Sequence, residues 1–285
     1  MEVNDSVSSE IISDLLAEHT GQQLTESRQW RIGTALSGIY REMGVSNLEA
    51  LVCLLDGPDG PRLARRVVEA LLNNETYFFR DRQLFDILSR QVLPDLAEKR
   101  KDTKRLSIWS AGCSTGQEVF SLAMLFAEQP GRWQDWTIEI LGTDVSSKVV
   151  EAARDACYSQ FEIQRGLGVS QMLAFFDETI KGWRPNAKLQ RMVKFEQHNL
   201  LDPQLRSCQI DLVLCRNVLL YFSSETRRLA FDRIHSVLAD DGWLMLGAGE
   251  TVIGQTDHFR PAPGKQNFYE PIRAALGQPL RAAAG

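Results

Sequence analysis

Residues 108–116 read Ile-Trp-Ser-Ala-Gly-Cys-Ser-Thr-Gly, and this stretch decides the fold. It begins as a short apolar run, continues in small residues, and is followed by a helical pattern over residues 117–127. A strand, a tight turn and a helix in this order predict a ligand site at the carboxyl edge of a parallel sheet, because small residues let a ligand approach the backbone. The turn is neither a phosphate loop nor a complete dinucleotide fingerprint, so a purely structural turn remains an equal alternative.

The alternation of short apolar runs with longer helical segments continues through the rest of the chain from residue 106. It predicts an α/β fold in which helices wrap a parallel sheet. The predicted strands are Leu106–Ala111, Ile138–Gly142, Val193–Glu196, Ile210–Cys215 and Trp243–Gly247, and the predicted helices are Gln117–Ala127, Ser146–Arg154 and Glu225–Leu238. Residues 157–195 break this alternation, and we interpret them as an insertion with its own small element.

Residues 1–72 follow a different pattern, with apolar residues at helical spacing, and predict a separate helical domain. Pro61 suits the first turn of a helix that runs to about Leu72, and Ser46 or Asn47 is expected to cap the preceding helix. Residues 73–105 are interpreted as a linker and helix packed on the second domain, which comprises residues 106–285. The tail from Ala274 is expected to be frayed.

The composition excludes several classes of protein. The 285 residues carry a net charge of -5, so no basic excess indicates a nucleic-acid partner. The polar, acidic amino terminus does not resemble a signal peptide, and no apolar run is long enough to span a membrane, so we expect a cytoplasmic protein. The five cysteines and four histidines are scattered, which predicts buried, reduced thiols and no metal site.

Polar residues at the predicted strand ends are the candidate site. Asp144 follows the second strand, where a carboxylate is placed to accept hydrogen bonds from ribose hydroxyls. With a turn that is poor in glycine, it favours a nucleoside without a diphosphate over NAD, although Asp144 could instead cap the helix from Ser146. Arg216 and Asn217 follow a buried strand, in a place that packing explains poorly.

Five motifs in order resemble the CheR-type chemotaxis receptor methyltransferases, which esterify receptor glutamates with S-adenosylmethionine. They are Asn-x-Thr-x-Phe-Phe-Arg from residue 74, Trp-Ser-Ala-x-x-Ser-Thr-Gly-x-Glu from residue 109, Thr-Asp at 143–144, Asn-Leu-Leu at 199–201 and Cys-Arg-Asn-Val-x-x-Tyr-Phe from residue 215. Each motif is modest alone, but the order and spacing match from about residue 10 to residue 271.

The resemblance implies a Rossmann-like class I methyltransferase with an amino-terminal all-α domain and a small antiparallel β-subdomain at about residues 157–195. Tyr221 and Arg80 are then the expected catalytic residues, although Tyr221 could be simply a half-buried aromatic. The cofactor positions of the family, together with the turn glycine, match Asn74, Thr76, Arg80, Gly112, Glu118, Asp144, Asn199, Leu200, Arg216 and Asn217. The implied cofactor is S-adenosylmethionine, with S-adenosylhomocysteine as product and no metal.

The insertion departs from relatives that dock on a receptor's carboxyl-terminal pentapeptide. Those relatives carry a Gly-Thr-Gly loop after an aromatic pair, whereas here residues 175–176, Phe-Phe, are followed by Asp-Glu-Thr-Ile-Lys-Gly-Trp. We therefore expect a protein that needs no pentapeptide tether. A second departure, Gln-Glu-Val at residues 117–119 where many relatives have Glu-Glu-Pro, leaves Glu118 in place.

The resemblance implies, as partner, the cytoplasmic helical region of methyl-accepting chemotaxis receptors, and we expect a monomer that neither binds nucleic acid nor inserts into a membrane. Arg62, Arg65 and Arg66 share one helix face and could dock an acidic coiled coil, but a solvated face is an equal alternative. Charge reversal there without effect on methylation at low salt would exclude docking. The rival functions are a small-molecule methyltransferase and a non-catalytic S-adenosylmethionine-binding signalling protein.

Overall fold

The computed structural model describes residues 2–203 and 209–273 of the chain. The tail from Ala274, which was expected to be frayed, and Cys208 lie outside the described residues. Within these two ranges, no helix is both long enough and apolar enough to cross a membrane.

The amino-terminal part is a helical domain with its own core. Its buried side chains, among them Ile12, Leu36 and Leu51, form one apolar cluster. Asn47 caps the fourth helix by accepting a backbone N–H at 2.9 Å, and Pro61 lies in the first turn of the fifth. The helices are α1 (Glu2–Thr20), α2 (Glu26–Gln29), α3 (Arg31–Met43), α4 (Leu48–Leu55) and α5 (Gly60–Leu71).

The second domain alternates strands and helices. Its strands are β1 (Arg105–Ala111), β2 (Thr137–Asp144), β3 (Phe176–Thr179), β4 (Gly182–Pro185), β5 (Val193–Gln197), β6 (Ile210–Cys215), β7 (Leu238–Leu246), β8 (Phe259–Pro261) and β9 (Phe268–Pro271). Its helices are α6 (Arg82–Ile87), a π-helical turn (Leu88–Val92), α7 (Leu93–Lys99), α8 (Gln117–Ala127), α9 (Pro130–Trp133), α10 (Ser147–Asp155), α11 (Gln160–Gln164), α12 (Val169–Phe175), α13 (Ala187–Gln190), a 3-10 turn (Leu219–Tyr221) and α14 (Ser224–Val237).

The main sheet has the strand order β5-β2-β1-β6-β7-β9-β8. The first five strands are parallel, and β9 and β8 are added in antiparallel pairing. Because the order reverses between β1 and β6, their carboxyl ends form a switch point, where open α/β sheets bind ligands. The predicted α/β fold is confirmed, but β7 begins at Leu238, five residues before its predicted start.

Residues between α10 and β5 contain a two-stranded antiparallel sheet, β3 paired with β4, and the short helices α11, α12 and α13. The two strands are joined by a two-residue turn, Ile180 and Lys181. This part packs on the linker through aromatic rings, with Tyr158 and Phe176 each in edge contact with Phe78 at 5.1 and 5.4 Å. The insertion is thereby held beside the linker that enters the second domain.

Candidate active site

One pocket lies at the carboxyl edge of the main sheet, beside the switch point. It encloses about 850 Å³ of space, a figure that includes open solvent at its mouth. Every residue predicted for the site lines it: Asn74, Thr76, Arg80, Gly112, Glu118, Asp144, Asn199, Leu200, Arg216, Asn217 and Tyr221. The fold therefore brings together side chains that lie up to 147 residues apart in the sequence, from Asn74 to Tyr221.

The turn after β1 needs a glycine for two reasons. Gly112 has a φ of +80°, and a Cβ there would lie 2.3 Å from Cγ2 of Val218. A side chain would therefore strain the backbone and push the loop after β6 away from the pocket. The adjacent Ser114 donates its hydroxyl to the backbone oxygen of Asn74 at 2.7 Å. The turn thus fixes the linker as well as one wall of the pocket.

Asp144 connects the turns that follow β1 and β2. One carboxylate oxygen accepts the backbone N–H of Ser114 at 2.9 Å, and the other accepts that of Ser146 at 3.0 Å. Burial raises the pKa of Asp144, and these two backbone N–H donors counteract part of that effect. The capping alternative does not by itself explain Asp144, because the helix α10 is capped by Ser146, whose hydroxyl accepts the N–H of Val149. Asp144 therefore places a buried carboxylate at the pocket wall, as a group that accepts hydrogen bonds from ribose hydroxyls requires.

Arg216 lies in a buried ion network under the pocket. Its side chain is 1% exposed and donates to Glu118 at 2.6 Å, to Asp81 at 2.8 Å and to the backbone oxygen of Arg80 at 2.7 Å. Glu118 also accepts the hydroxyl of Ser110 at 2.8 Å. These bonds occupy both terminal nitrogens of Arg216, while its buried Nε has no hydrogen-bond partner within the described residues. Because protein acceptors occupy both terminal nitrogens, Arg216 is poorly placed to steer an incoming carboxylate.

The loop after β6 is held by a carboxylate that the sequence reasoning missed. Glu250 is buried and accepts the backbone N–H groups of Asn217 at 2.8 Å, Val218 at 3.0 Å and Leu219 at 2.8 Å. Asn217 has a φ of +60°, a left-handed conformation that asparagine adopts more readily than most residues other than glycine. Glu250 therefore stabilises the left-handed turn that presents Asn217 and Tyr221 to the pocket.

Tyr221 lies at the pocket wall where both domains meet. Its hydroxyl oxygen accepts a hydrogen bond from the Asn73 side chain at 2.6 Å, and its backbone oxygen accepts the N–H of Gln23 at 2.7 Å. The end of α1 and the loop after it also add Thr20 and Gln22 to the pocket lining. The helical domain thus forms part of the site, which neither composition nor periodicity indicated.

The remaining predicted residues lie around the same pocket. Arg80 donates to the backbone oxygen of Glu75 at 2.9 Å, in the linker. Asn199 donates to the backbone oxygen of His19 at 3.2 Å and accepts the N–H of Leu201, so its amide is partly engaged by the protein. Leu200 is buried and presents an apolar surface. Their predicted cofactor roles remain predictions.

The basic helix face lies outside the pocket but next to it. Arg62, Arg65 and Arg66 line a separate groove between α5 and α10, and Arg66 is paired with Glu42. Glu69 of the same helix accepts the backbone N–H of Ser147 at 2.8 Å and joins the two domains. Thr20, Leu72 and Val145 line both the groove and the main pocket, so the two are adjacent.

None of the described cysteines lines the pocket. Cys113 and Cys215 are buried, and burial raises the pKa of both, which keeps them protonated. The expectation of buried cysteines is wrong for Cys53, which is exposed, and holds only in part for Cys157, which is half-buried. In the part of the chain that the structure describes, no cluster of three histidine, cysteine or acidic side chains is placed to hold a metal.

The comparisons with known proteins agree with this geometry. A family model described as the SAM-binding domain of CheR methyltransferase matches residues 74–268. The chain is 34% identical to chemotaxis protein methyltransferase 1 of Pseudomonas aeruginosa, over 88% of this chain and 92% of that protein. It is 32% identical to chemotaxis protein methyltransferase Cher2 of Pseudomonas putida, over 86% and 90% of the two chains. It is 30% identical to a chemotaxis protein methyltransferase of Borreliella burgdorferi, over 87% and 89%.

Proposed function

Since this chain belongs to the CheR methyltransferase family, we propose that it esterifies glutamate side chains of chemotaxis receptors with the methyl group of S-adenosylmethionine. The observation that carries this proposal is the convergence of all the predicted site residues on one pocket at the switch point of the sheet. The chain is a methyltransferase that uses S-adenosylmethionine, and the identity of the acceptor is the proposed part.

The pocket fits S-adenosylmethionine by the chemistry of its side chains. Asp144 offers a buried carboxylate for ribose hydroxyls, and Leu200 offers an apolar surface for a base. Arg80 supplies a cation for a carboxylate, and the buried Nε of Arg216 is a donor that the described residues leave without an acceptor. We propose that these residues hold the cofactor, together with Asn74, Thr76, Gly112, Glu118, Asn199 and Asn217.

The proposed reaction needs positioning rather than proton transfer. S-adenosylmethionine supplies a methyl group on a cationic sulfur, which keeps the electron pair when the methyl–sulfur bond breaks and the oxygen–methyl bond forms. A glutamate acceptor is ionised at neutral pH, since its pKa is near ~4.3, so no general base is required. The site accordingly offers Tyr221 and Arg80 as orienting groups, and both domains contribute walls to it.

The acceptor is tested by transfer of labelled methyl to membranes that bear the host's chemoreceptors, followed by mild alkali. We expect label on receptor bands that alkali releases as volatile methanol, because carboxyl esters are cleaved whereas N-methyl groups and ethers are not. The Asp144→Asn variant serves as the negative control for methyl transfer.

Two results would contradict glutamate esterification. Label that resists alkali would indicate a different acceptor, as expected of a small-molecule or N-methyltransferase. No label, despite binding of S-adenosylhomocysteine, would favour the non-catalytic signalling protein.

We further propose that no receptor tether is needed. The two-residue turn Ile180-Lys181 between β3 and β4 leaves no room for the Gly-Thr-Gly loop of the tether-dependent relatives. Calorimetry with a receptor carboxyl-terminal pentapeptide should show no binding, and receptors truncated before that peptide should be methylated as fast as intact ones. Measurable affinity for the peptide would contradict this.

The cytoplasmic location and the monomeric state likewise stay predictions.

A further inference from the structure

An acceptor glutamate brings a negative charge into the site, and a cation should hold it there while water is removed. Both terminal nitrogens of Arg216 already donate to Glu118, Asp81 and a backbone oxygen, so neither is available to an acceptor carboxylate. Arg80 donates to the linker and is the cation proposed above for the cofactor. The acceptor side of the pocket therefore needs a different cation.

Arg28, in the helix α2, is placed for this task. Its guanidinium carbon lies 4.5 Å from the centroid of the Tyr221 ring, over the ring face. Among the side chains that the structure describes, no carboxylate forms an ion pair with Arg28. The contact crosses the boundary between the two domains, and two adjoining links hold it: Gln22 forms a β-bridge with Phe222, and Gln23 donates to the backbone of Tyr221 at 2.7 Å.

The hydroxyl of Tyr221 is oriented for the same ligand. Because its oxygen already accepts a hydrogen bond from Asn73 at 2.6 Å, its own hydrogen is directed away from Asn73 and is free to donate. The Arg28 guanidinium, over the ring, can donate a charged hydrogen bond to a carboxylate. The Tyr221 hydroxyl, at the ring edge, can donate a second hydrogen bond to the same carboxylate.

We infer that Arg28 binds the acceptor glutamate carboxylate beside Tyr221, with Asn73 as a positioning residue for the tyrosine. The two side chains hold one carboxylate oxygen and leave the other to attack the methyl group. This inference rests on the proposed function, and it gives the helical domain a part in acceptor recognition rather than in cofactor binding.

The test compares Arg28→Gln, Arg28→Lys and the control Arg132→Gln. The control removes one positive charge and one arginine–aromatic contact, Arg132 over Trp133 at 6.0 Å, just before β2 and thus at the opposite edge of the sheet. Methyl transfer is measured against increasing amounts of chemoreceptor-bearing membranes, and S-adenosylhomocysteine affinity is measured by calorimetry on the same preparations.

We expect Arg28→Gln to lower kcat/KM for the receptor membranes about tenfold or more, chiefly through KM, as for loss of a charged hydrogen bond. Its affinity for S-adenosylhomocysteine should stay within about twofold of the wild type, Arg28→Lys should recover part of the loss, and Arg132→Gln should behave as the wild type. A purely structural role would not produce this separation of acceptor from cofactor.

The inference is overturned if Arg28→Gln methylates as the wild type does, or if S-adenosylhomocysteine affinity falls in parallel with the rate. If the wild type itself binds S-adenosylhomocysteine but labels no receptor, the proposed function fails and the inference fails with it. Methyl transfer by the wild-type protein therefore distinguishes failure of the proposed function from failure of the Arg28 inference alone.

Discussion

Replacing Asp144 with asparagine is expected to weaken the binding of S-adenosylhomocysteine about 100-fold. The carboxylate accepts two backbone N–H groups and keeps lone pairs for two ribose hydroxyls. An asparagine has one acceptor oxygen and would turn its NH₂ group toward an N–H donor, so both the turn geometry and a charged hydrogen-bond acceptor are lost. The expected size follows from the loss of a hydrogen bond to a charged group, which contributes about 1.5–3 kcal/mol. Calorimetry measures the change in affinity.

The matched control for this variant is Glu139→Gln, which removes a carboxylate from an outward position on the same strand, where Glu139 pairs with Arg105. The control should bind as the wild type does. Near-normal affinity of Asp144→Asn would remove Asp144 from the cofactor site.

The pH dependence of binding should identify the same group. Burial raises the pKa of Asp144, and ribose binding requires the ionised form, so affinity is full above that raised pKa and falls as the pH drops through it. The fall should begin at a higher pH than for an exposed aspartate, and it should be smaller in Asp144→Asn. Burial also raises the pKa of Glu250 and lowers the pKa of the pocket-lining His198, so part of the pH dependence should remain in the variant.

The parallel centre of the fold could be predicted because its strands are apolar throughout. In β6 every residue is buried, and the run from Ile210 to Cys215 leaves no doubt about its ends. The strands β8 and β9 were missed because they have three and four residues and each ends in proline. They are specified by pairing with each other and with β7, which is a long-range contact and not a local pattern.

The candidate site divides in the same way. Residues at the strand ends, such as Asp144 and Asn217, could be predicted because parallel strands bring their carboxyl ends to one edge. Glu250 could not, since it acts through backbone N–H groups about 30 residues earlier in the chain. Arg28 and Asn73 act on Tyr221 from another domain and from the linker, and only the packing of the helical domain reveals those contacts.

Replacing Arg216 with methionine should lower the free energy of unfolding by about 3–5 kcal/mol, the usual cost of removing one partner from a buried ion network. Glu118 is 13% exposed and would keep a charge with no cation to balance it, whereas Asp81, at 30%, can be hydrated. Chemical denaturation measures the change. Arg184→Met is the control, because its pair with Asp155 lies at the surface and should contribute less than about 1 kcal/mol.

A double variant separates the stability of this network from its function. Adding Glu118→Gln to Arg216→Met removes the uncompensated charge, so part of the lost stability should return, since replacing a whole buried pair costs less than breaking it. Binding of S-adenosylhomocysteine should not return, because both side chains line the pocket. Recovery of binding along with stability would mean that the Arg216–Glu118 pair only supports the fold, and a single variant as stable as Arg184→Met would mean that the pair is not buried in solution.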